Sequence, residues 1–196
     1  IGYGAFANCS SLTSVNISNG VTEISGSAFS GCTSLTSVTI PESVTTIGSY
    51  VFQNCSSLTS IKIPNSVTTI GEDAFSGCLS LSSLVLPNSV TKIGIGAFRG
   101  CSLTSINIPD GVTEISGSAF AGCSSLTSVN IPNSVTFISS YAFSNCSSLT
   151  SIKIPNSVKN IGYGAFEGCT NLTAQRPAAK TTWTASYLGC KAVTTY

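Results

Sequence analysis

The chain of 196 residues contains no histidine, no methionine and a single tryptophan, and only 8% of its residues are charged. Its eight Lys and Arg residues form no cluster and the net charge is +1, so nothing indicates binding to nucleic acid or to an anionic membrane surface. No apolar run reaches the roughly 18 residues that a membrane span needs. We therefore expect no nucleic-acid partner and no membrane insertion of this segment.

The means for catalysis are also missing. Without histidine, no serine or cysteine nucleophile has its usual general base. The seven carboxylates are scattered, and the one adjacent pair, Glu72 and Asp73, would point apart in an extended segment. No C-x₂-C pair of the kind that binds zinc is present. We therefore expect no enzyme activity, no catalytic residue, no metal site and no cofactor.

What the chain does contain is a repeat. One phrase, for example "LTSVTIPESVTTIGSYVFQNCSS" at 35–57, recurs every 23 residues with one step of 22. Apolar residues fill eight columns of each unit, too many for a single unit to bury alone, whereas units stacked in register can bury them. The leucines that open the phrase are Leu12, Leu35, Leu58, Leu81, Leu103, Leu126, Leu149 and Leu172.

Each unit predicts two short strands and a turn. The segment L-T-S-[VI]-x-I alternates apolar and polar residues and is ended by proline, and V-T-x-I-[GS] alternates again. The segment A-F-x-[GN]-C is too short for an α-helix and predicts a 3₁₀ turn, with Gly or Asn as its left-handed residue. The fold class predicted is thus a mainly β repeat solenoid of about eight stacked units.

The two ends of the array differ from its middle. Residues 1–171 form the predicted solenoid, which Ile1 enters in mid-repeat, so we expect the chain to be part of a longer protein that carries any targeting signal. Residues 172–196 read as a degenerate C-terminal capping repeat in which Trp183 covers the apolar end of the stack, or else as a junction to another domain. In this last unit Tyr187, Gly189, Cys190 and Val193 match the Phe, Gly, Cys and Leu columns.

One cysteine falls in each unit, always in the same column. In-register neighbours point their Cβ atoms in parallel, which suits disulfide geometry poorly, so we expect buried thiols that donate weak S–H bonds to loop carbonyls. The column consists of Cys9, Cys32, Cys55, Cys78, Cys101, Cys123, Cys146, Cys169 and Cys190.

The phrases "LTSIKIPNSVTTIGEDAFSGC" and "LTSVNIPNSVTFISSYAFSNC" resemble the BspA-like leucine-rich repeats, from Ile1 to about Leu172. The resemblance implies a curved, right-handed leucine-rich-repeat coil whose first strands line the concave face. It also implies an extracellular or cell-surface location, as in surface proteins of oral and gut bacteria and parasitic protozoa. Members of the family are regarded as adhesins that bind host matrix proteins or other cells.

By that resemblance, the outward column of the first strand is the candidate ligand surface. It varies among the repeats and contains no aromatic residue, and it consists of Asn16, Thr39, Lys62, Val85, Asn107, Asn130 and Lys153. A rival candidate is an aromatic patch around the second strand and turn, made of Tyr50, Phe137, Tyr141 and Tyr163, because aromatic residues are favoured in binding sites.

Three functions follow as hypotheses. The first is a non-enzymatic, surface-displayed adhesion module, expected to be monomeric, that binds a protein or glycan ligand such as a host matrix protein. The second is a passive spacer, favoured by the identical copies "SLTSIKIPNSV" at 57–67 and 148–158. The third is ice binding by the column of threonines at 13, 36, 59, 104, 127 and 150, which Ser82 interrupts.

One unit is a residue short. "FRGCSLTSINIP" at 98–109 lacks a serine that "FAGCSSLTSVNIP" at 120–132 contains. The loss falls between the cysteine and the leucine, which predicts an outer loop, because a deletion inside a strand would reverse the facing of the residues after it. We expect this coil to differ from its neighbours only at Ser102.

Overall fold

A computed structural model describes all residues from 1 to 196. The regular coils contain two sets of short strands, and the chain ends with two longer strands that flank a four-residue helix. No helix is both long enough and apolar enough to cross a bilayer. The first strands are β1 (Ser14–Asn16), β3 (Ser37–Thr39), β7 (Ser105–Asn107), β9 (Ser128–Asn130) and β11 (Ser151–Lys153); the second strands are β2 (Glu23–Ile24), β4 (Thr46–Ile47), β5 (Thr69–Ile70), β6 (Lys92–Ile93), β8 (Glu114–Ile115), β10 (Phe137–Ile138) and β12 (Asn160–Ile161); the end consists of β13 (Cys169–Arg176), α1 (Ala185–Leu188) and β14 (Cys190–Thr195).

All strand pairs are parallel, and every pair keeps one continuous register except β13 and β14, whose register shifts between Cys169 and Thr173. Ser14 pairs with Ser37, and Ile47 pairs with Ile70, one repeat apart. The second strands form two sheets, β2-β4-β5-β6 and β8-β10-β12. The first strands form only the short sheets β1-β3, β7-β9 and β11-β13-β14. The predicted first strands at 60–62 and 83–85 are not formed, so this side of the stack is the less regular one.

The core is one continuous column of 56 buried residues. Each coil contributes the apolar positions that the repeat predicts, and the alternation within each first strand points its middle residue inward. The phenylalanines stack from Phe6 to Phe166, with ring centroids of successive coils 5.3 to 5.6 Å apart. The stack gives each ring an aromatic neighbour on both faces, except at its two ends.

The turn around each phenylalanine carries the most regular hydrogen bonding between coils. In one coil the N–H groups of Ser27, Phe29 and Gly31 donate to the next coil, at 2.9, 2.9 and 2.7 Å. Three bonds of this kind recur between every pair of successive regular coils, and the first donor of the series is Gly4 and the last is Asn145. We call this set the turn ladder.

The conformation of the turn makes the ladder possible. Residues between the three donors form i→i+3 bonds within the coil, such as Ser30 N–H to Ser27 O, so the 3₁₀-type bonds occur at alternate rather than successive residues. The first and third donors have positive φ, +58° at Ser27 and +73° at Gly31. The left-handed Gly or Asn before cysteine is therefore confirmed, whereas the left-handed residue four positions earlier was not predicted.

The cysteine column adds a second bond to the same turn. The Sγ of Cys55 donates to the carbonyl of Phe29 in the preceding coil at 3.2 Å, and every cysteine from Cys32 to Cys169 makes the same bond. All nine thiols are free; those seven are buried, whereas Cys9 is exposed and Cys190 is half-buried. The predicted S–H bonds to loop carbonyls are thus present in the interior coils.

Burial shifts the pKa of several of these thiols. It raises the pKa of Cys32 and Cys55, and it raises the pKa of Cys123 from 9.0 to about 12. A protonated thiol is a poor nucleophile and metal ligand. The thiols with raised pKa values therefore contribute packing and hydrogen bonds to the column.

The shortened coil keeps its core. Cys101 and Leu103 on either side of Ser102 are both buried, as the loop interpretation predicts. The difference nevertheless extends beyond Ser102, because β6 and β8 are not joined in one sheet. At this interface the Oγ of Ser116 donates to Ile93 O at 2.6 Å, where other coils use a backbone N–H. The expectation of a purely local difference is wrong.

The C-terminal unit differs from the regular coils. Trp183 is buried in the core column, and α1 is capped by Thr184 and by the left-handed Gly189. Cys190 pairs with Cys169 as the alignment predicts. The predicted matches of two other residues are wrong: Tyr187 is partly exposed while Leu188 is buried, and Val193 lies opposite Ala174, in the first strand.

Replacing a central phenylalanine should be far more costly than replacing a terminal one. We expect Phe75→Ala to lower the free energy of unfolding by about 3–5 kcal/mol, because the cavity lies between two stacked rings. Phe6→Ala, in a partly exposed ring with one stacking neighbour, serves as the matched control and should cost clearly less. Urea unfolding followed by circular dichroism measures both, and equal losses would contradict the stacked core.

The cysteine column should make stability fall in alkali. The raised pKa of Cys123 means that the unfolded chain loses this proton first, so its contribution is complete below pH 9 and is lost as pH rises toward 12. Each such thiol steepens the fall by up to about 1.4 kcal/mol per pH unit. Cys123→Ala should therefore give a shallower fall in unfolding free energy between pH 9 and pH 10.5. The exposed Cys9→Ala is the control, and identical slopes for both variants would refute this explanation.

Candidate functional site

The seven predicted column residues lie on one face of the solenoid. Each is exposed, and where the first strands pair the column residues stand side by side, as Asn16 does to Thr39 and Asn107 to Asn130. The serines two positions earlier form a parallel exposed column. We call the surface made by these two columns the first-strand face.

A cleft of about 900 Å³ opens in this face where the pairing of the first strands is interrupted. It is lined by Lys62, Val85 and Asn107 of the predicted column, with Leu84 and Leu86 beneath them. Leu84 and Leu86 replace the β-branched residues of most other coils, which favour extended strands more strongly. The cleft therefore coincides with the coil whose sequence is least suited to a strand.

The cleft combines charge and exposed apolar surface. Val85 is 82% exposed, which makes it an unusual apolar residue on a polar face. Lys62 lies 3.9 Å from Glu42, and both side chains are largely in solvent, so the pair contributes little to stability. Lys62 is thus free to exchange Glu42 for another carboxylate.

A second polar column borders the face and was not recognised from the sequence. It stands three residues after the variable column, in the turn that follows the proline, and its members are all exposed: Asn19, Glu42, Asn65, Asn88, Asp110, Asn133 and Asn156. No asparagine of this column uses its side chain in a hydrogen bond. The next residue is a serine in most coils, and Ser66, for example, donates to Val44 O. The recurrence of Asn at one repeat position is the sequence signal that could have revealed it.

The first-strand face also has an aromatic residue, contrary to the sequence interpretation. Tyr196 follows β14, yet its hydroxyl donates to Ile154 O at 2.7 Å and its ring lies 4.4 Å from the Nζ of Lys153. A pocket of about 300 Å³ lies between this ring and Asn130, Asn133 and Asn156. We call it the Tyr196 pocket.

The four residues of the predicted aromatic patch do not form a single surface. Tyr141 and Tyr163 pack edge to face, with centroids 5.7 Å apart. Tyr50 lies four coils away, roughly 19 Å at strand spacing, and donates its hydroxyl to Glu72, a bond that raises the pKa of Tyr50. Phe137 is half-buried in a separate cleft of about 700 Å³ along the second strands.

Three of the six threonines in the column proposed to bind ice, Thr36, Thr104 and Thr127, donate their hydroxyls to the preceding coil. The hydroxyl of Thr36 donates to Thr13 O at 3.0 Å, and that of Thr127 donates to Thr104 O at 2.9 Å. These hydrogens point along the stack rather than toward solvent, which disfavours a hydroxyl array matched to ice. No group of three or more acidic or cysteine side chains is arranged to hold a metal ion.

These features define a leucine-rich-repeat solenoid with an exposed, mainly polar first-strand face. The chain belongs to the family described as the BspA type leucine rich repeat region, which it matches in six copies over residues 1–102 and 91–187. No curated protein matches it significantly.

Three solved structures resemble the chain. A leucine rich cell surface protein of Faecalibacterium prausnitzii A2-165 is 35% identical, with a TM-score of 0.75 over 84% of this chain and 48% of that protein. A leucine-rich repeat protein of Bacteroides ovatus ATCC 8483 is 32% identical, with a TM-score of 0.65 over 93% of this chain and 63% of the other. The leucine-rich repeat protein of T. pallidum is 33% identical, with a TM-score of 0.71 over 99% and 79%. The chain thus spans about half of the first of these proteins.

Proposed function

We propose that this chain is a non-enzymatic binding module, displayed at a cell surface, that adheres to a protein or glycan ligand through the first-strand face. The observation that supports the proposal most directly is the cleft at Lys62 and Val85. It lies where the first strands at 60–62 and 83–85 are not formed, and it combines an exposed apolar side chain with a cation that has only a solvent-exposed partner. Exposed apolar surface rimmed by polar groups is typical of interaction sites.

The family and its solved relatives support the surface location in the proposal. One relative is described as a cell surface protein, and all three are leucine-rich repeat proteins. Extended repeat surfaces bind partners through many modest contacts spread over several coils. The two exposed columns of the first-strand face provide such contacts without a catalytic group. The bound ligand is expected to be a host matrix protein or a cell-surface glycan.

Substitutions in the cleft should weaken binding without harming the fold. The probes are immobilised collagen, laminin and fibronectin and a mammalian glycan array. We expect at least one of them to bind, and Lys62→Glu and Val85→Asp each to lower its affinity at least tenfold, about 1.4 kcal/mol. Val85 is 82% exposed, so the substitution should leave the melting temperature unchanged.

Lys92→Glu is the matched control, because Lys92 is an exposed lysine on β6 of the opposite sheet. Its charge change should leave binding intact. Failure of every probe to bind, or equal loss in Lys92→Glu and Lys62→Glu, would overturn the proposal. The first of these outcomes would favour the passive spacer, for which the identical segments 57–67 and 148–158 speak.

A further inference from the structure

The Tyr196 pocket has features that the rest of the first-strand face lacks. Tyr196 follows β14, and its side chain reaches across β13 to the carbonyl of Ile154, which follows β11. The backbone N–H of Tyr196 also donates to Arg176 O at 3.2 Å, which fixes the residue at both ends. The ring therefore forms a fixed wall at one end of the face, beside the variable column.

The pocket contains a cation without an anionic partner. The one ion pair in the structure joins Lys62 to Glu42, so no carboxylate pairs with Lys153. The Nζ of Lys153 donates no hydrogen bond within the protein and lies over the face of the Tyr196 ring, 4.4 Å from its centroid. The ring excludes water from one side of the ammonium group, and the N–H donors on its other side remain accessible to a ligand. Lys153 is thus positioned to accept an external anion.

The remaining polar groups of the pocket are also unused. The carboxamides of Asn130, Asn133 and Asn156 take part in no hydrogen bond within the protein, although the adjacent Ser134 donates to Val112 O at 2.7 Å. The equivalent serine of the next coil, Ser157, makes no such bond, and its buried hydroxyl has no hydrogen-bond partner. Each carboxamide offers two donors and one acceptor. Three of them around one ring suit a ligand that has many groups able both to donate and to accept.

We propose that the Tyr196 pocket binds a sugar that carries a carboxylate. The ligand's hydroxyls would pair with the three carboxamides, its apolar C–H face would rest against the Tyr196 ring, and its carboxylate would pair with Lys153. A volume of about 300 Å³ matches the lower limit of small-molecule sites and is suited to one or two sugar rings. An acidic peptide would pair with Lys153 but would leave the carboxamides poorly matched.

This inference rests on the proposed binding function, and it names the ligand class for one end of the same face. The probes are 3′-sialyllactose, a hyaluronan tetrasaccharide, neutral lactose and an Asp-Gly repeat peptide. Each is titrated into ¹⁵N-labelled protein, and amide shifts give both affinity and location. We expect at least one of the two acidic sugars to shift Asn130, Lys153 and Asn156, and lactose and the peptide to bind at least tenfold more weakly. Which acidic sugar binds distinguishes a sialic acid from a uronic acid as the source of the carboxylate.

The decisive variant is Lys153→Gln, which should weaken acidic-sugar binding at least tenfold, whereas Lys153→Arg should retain most of it. Lys180→Gln is the matched control, because Lys180 also lies over an aromatic ring, 5.1 Å from Trp183, but outside the pocket. The inference would be overturned if lactose or the peptide bound as tightly as the acidic sugars. It would also be overturned if neither acidic sugar bound, or if Lys153→Gln bound them with unchanged affinity. The proposed function is judged separately, by the cleft variants at Lys62 and Val85 and their own probes.

Discussion

The turn ladder is the constraint on which the rest of the structure depends. Three backbone N–H groups of one turn donate to the next coil, and these bonds recur through the stack even where both sheets are interrupted. They require left-handed conformations at two positions, and at the position before cysteine this conformation is adopted by Gly or Asn, which tolerate it better than most residues. The stacked phenylalanines and the S–H bonds of the cysteines follow from this register, because both join the same turns.

A stack that is held together along one side can vary along another. The first-strand side lacks a ladder at 60–62 and 83–85, yet Ile61 and Leu84 beneath it stay buried, so the core does not depend on strand pairing there. The outward residues at that point are free to change from repeat to repeat. This separation explains how nearly identical repeats can present a cleft at Val85 and a different, polar pocket at Lys153.

Much of this architecture could be predicted from the sequence, because repeat columns translate directly into stacked positions. The core columns, the in-register parallel strands and the exposed variable column all follow from periodicity. The second left-handed column could not be predicted, because its members, including Ser27, Tyr50, Asp73 and Gly96, share no side-chain type. Tyr196 was also missed, because its contact with Lys153 depends on the path of the degenerate last coil, where the repeat pattern is weakest.

Hydrogen exchange of individual amides tests the central claim most directly. If the turn ladder holds the coils together, the N–H groups of Phe75 and Phe98, each bonded to the next coil at 2.8 Å, should exchange among the slowest. The N–H groups of Ile61 and Val85 donate no backbone hydrogen bond and should exchange at least about a hundredfold faster. Equal protection at both sets of amides, or faster exchange at the phenylalanines, would contradict this account.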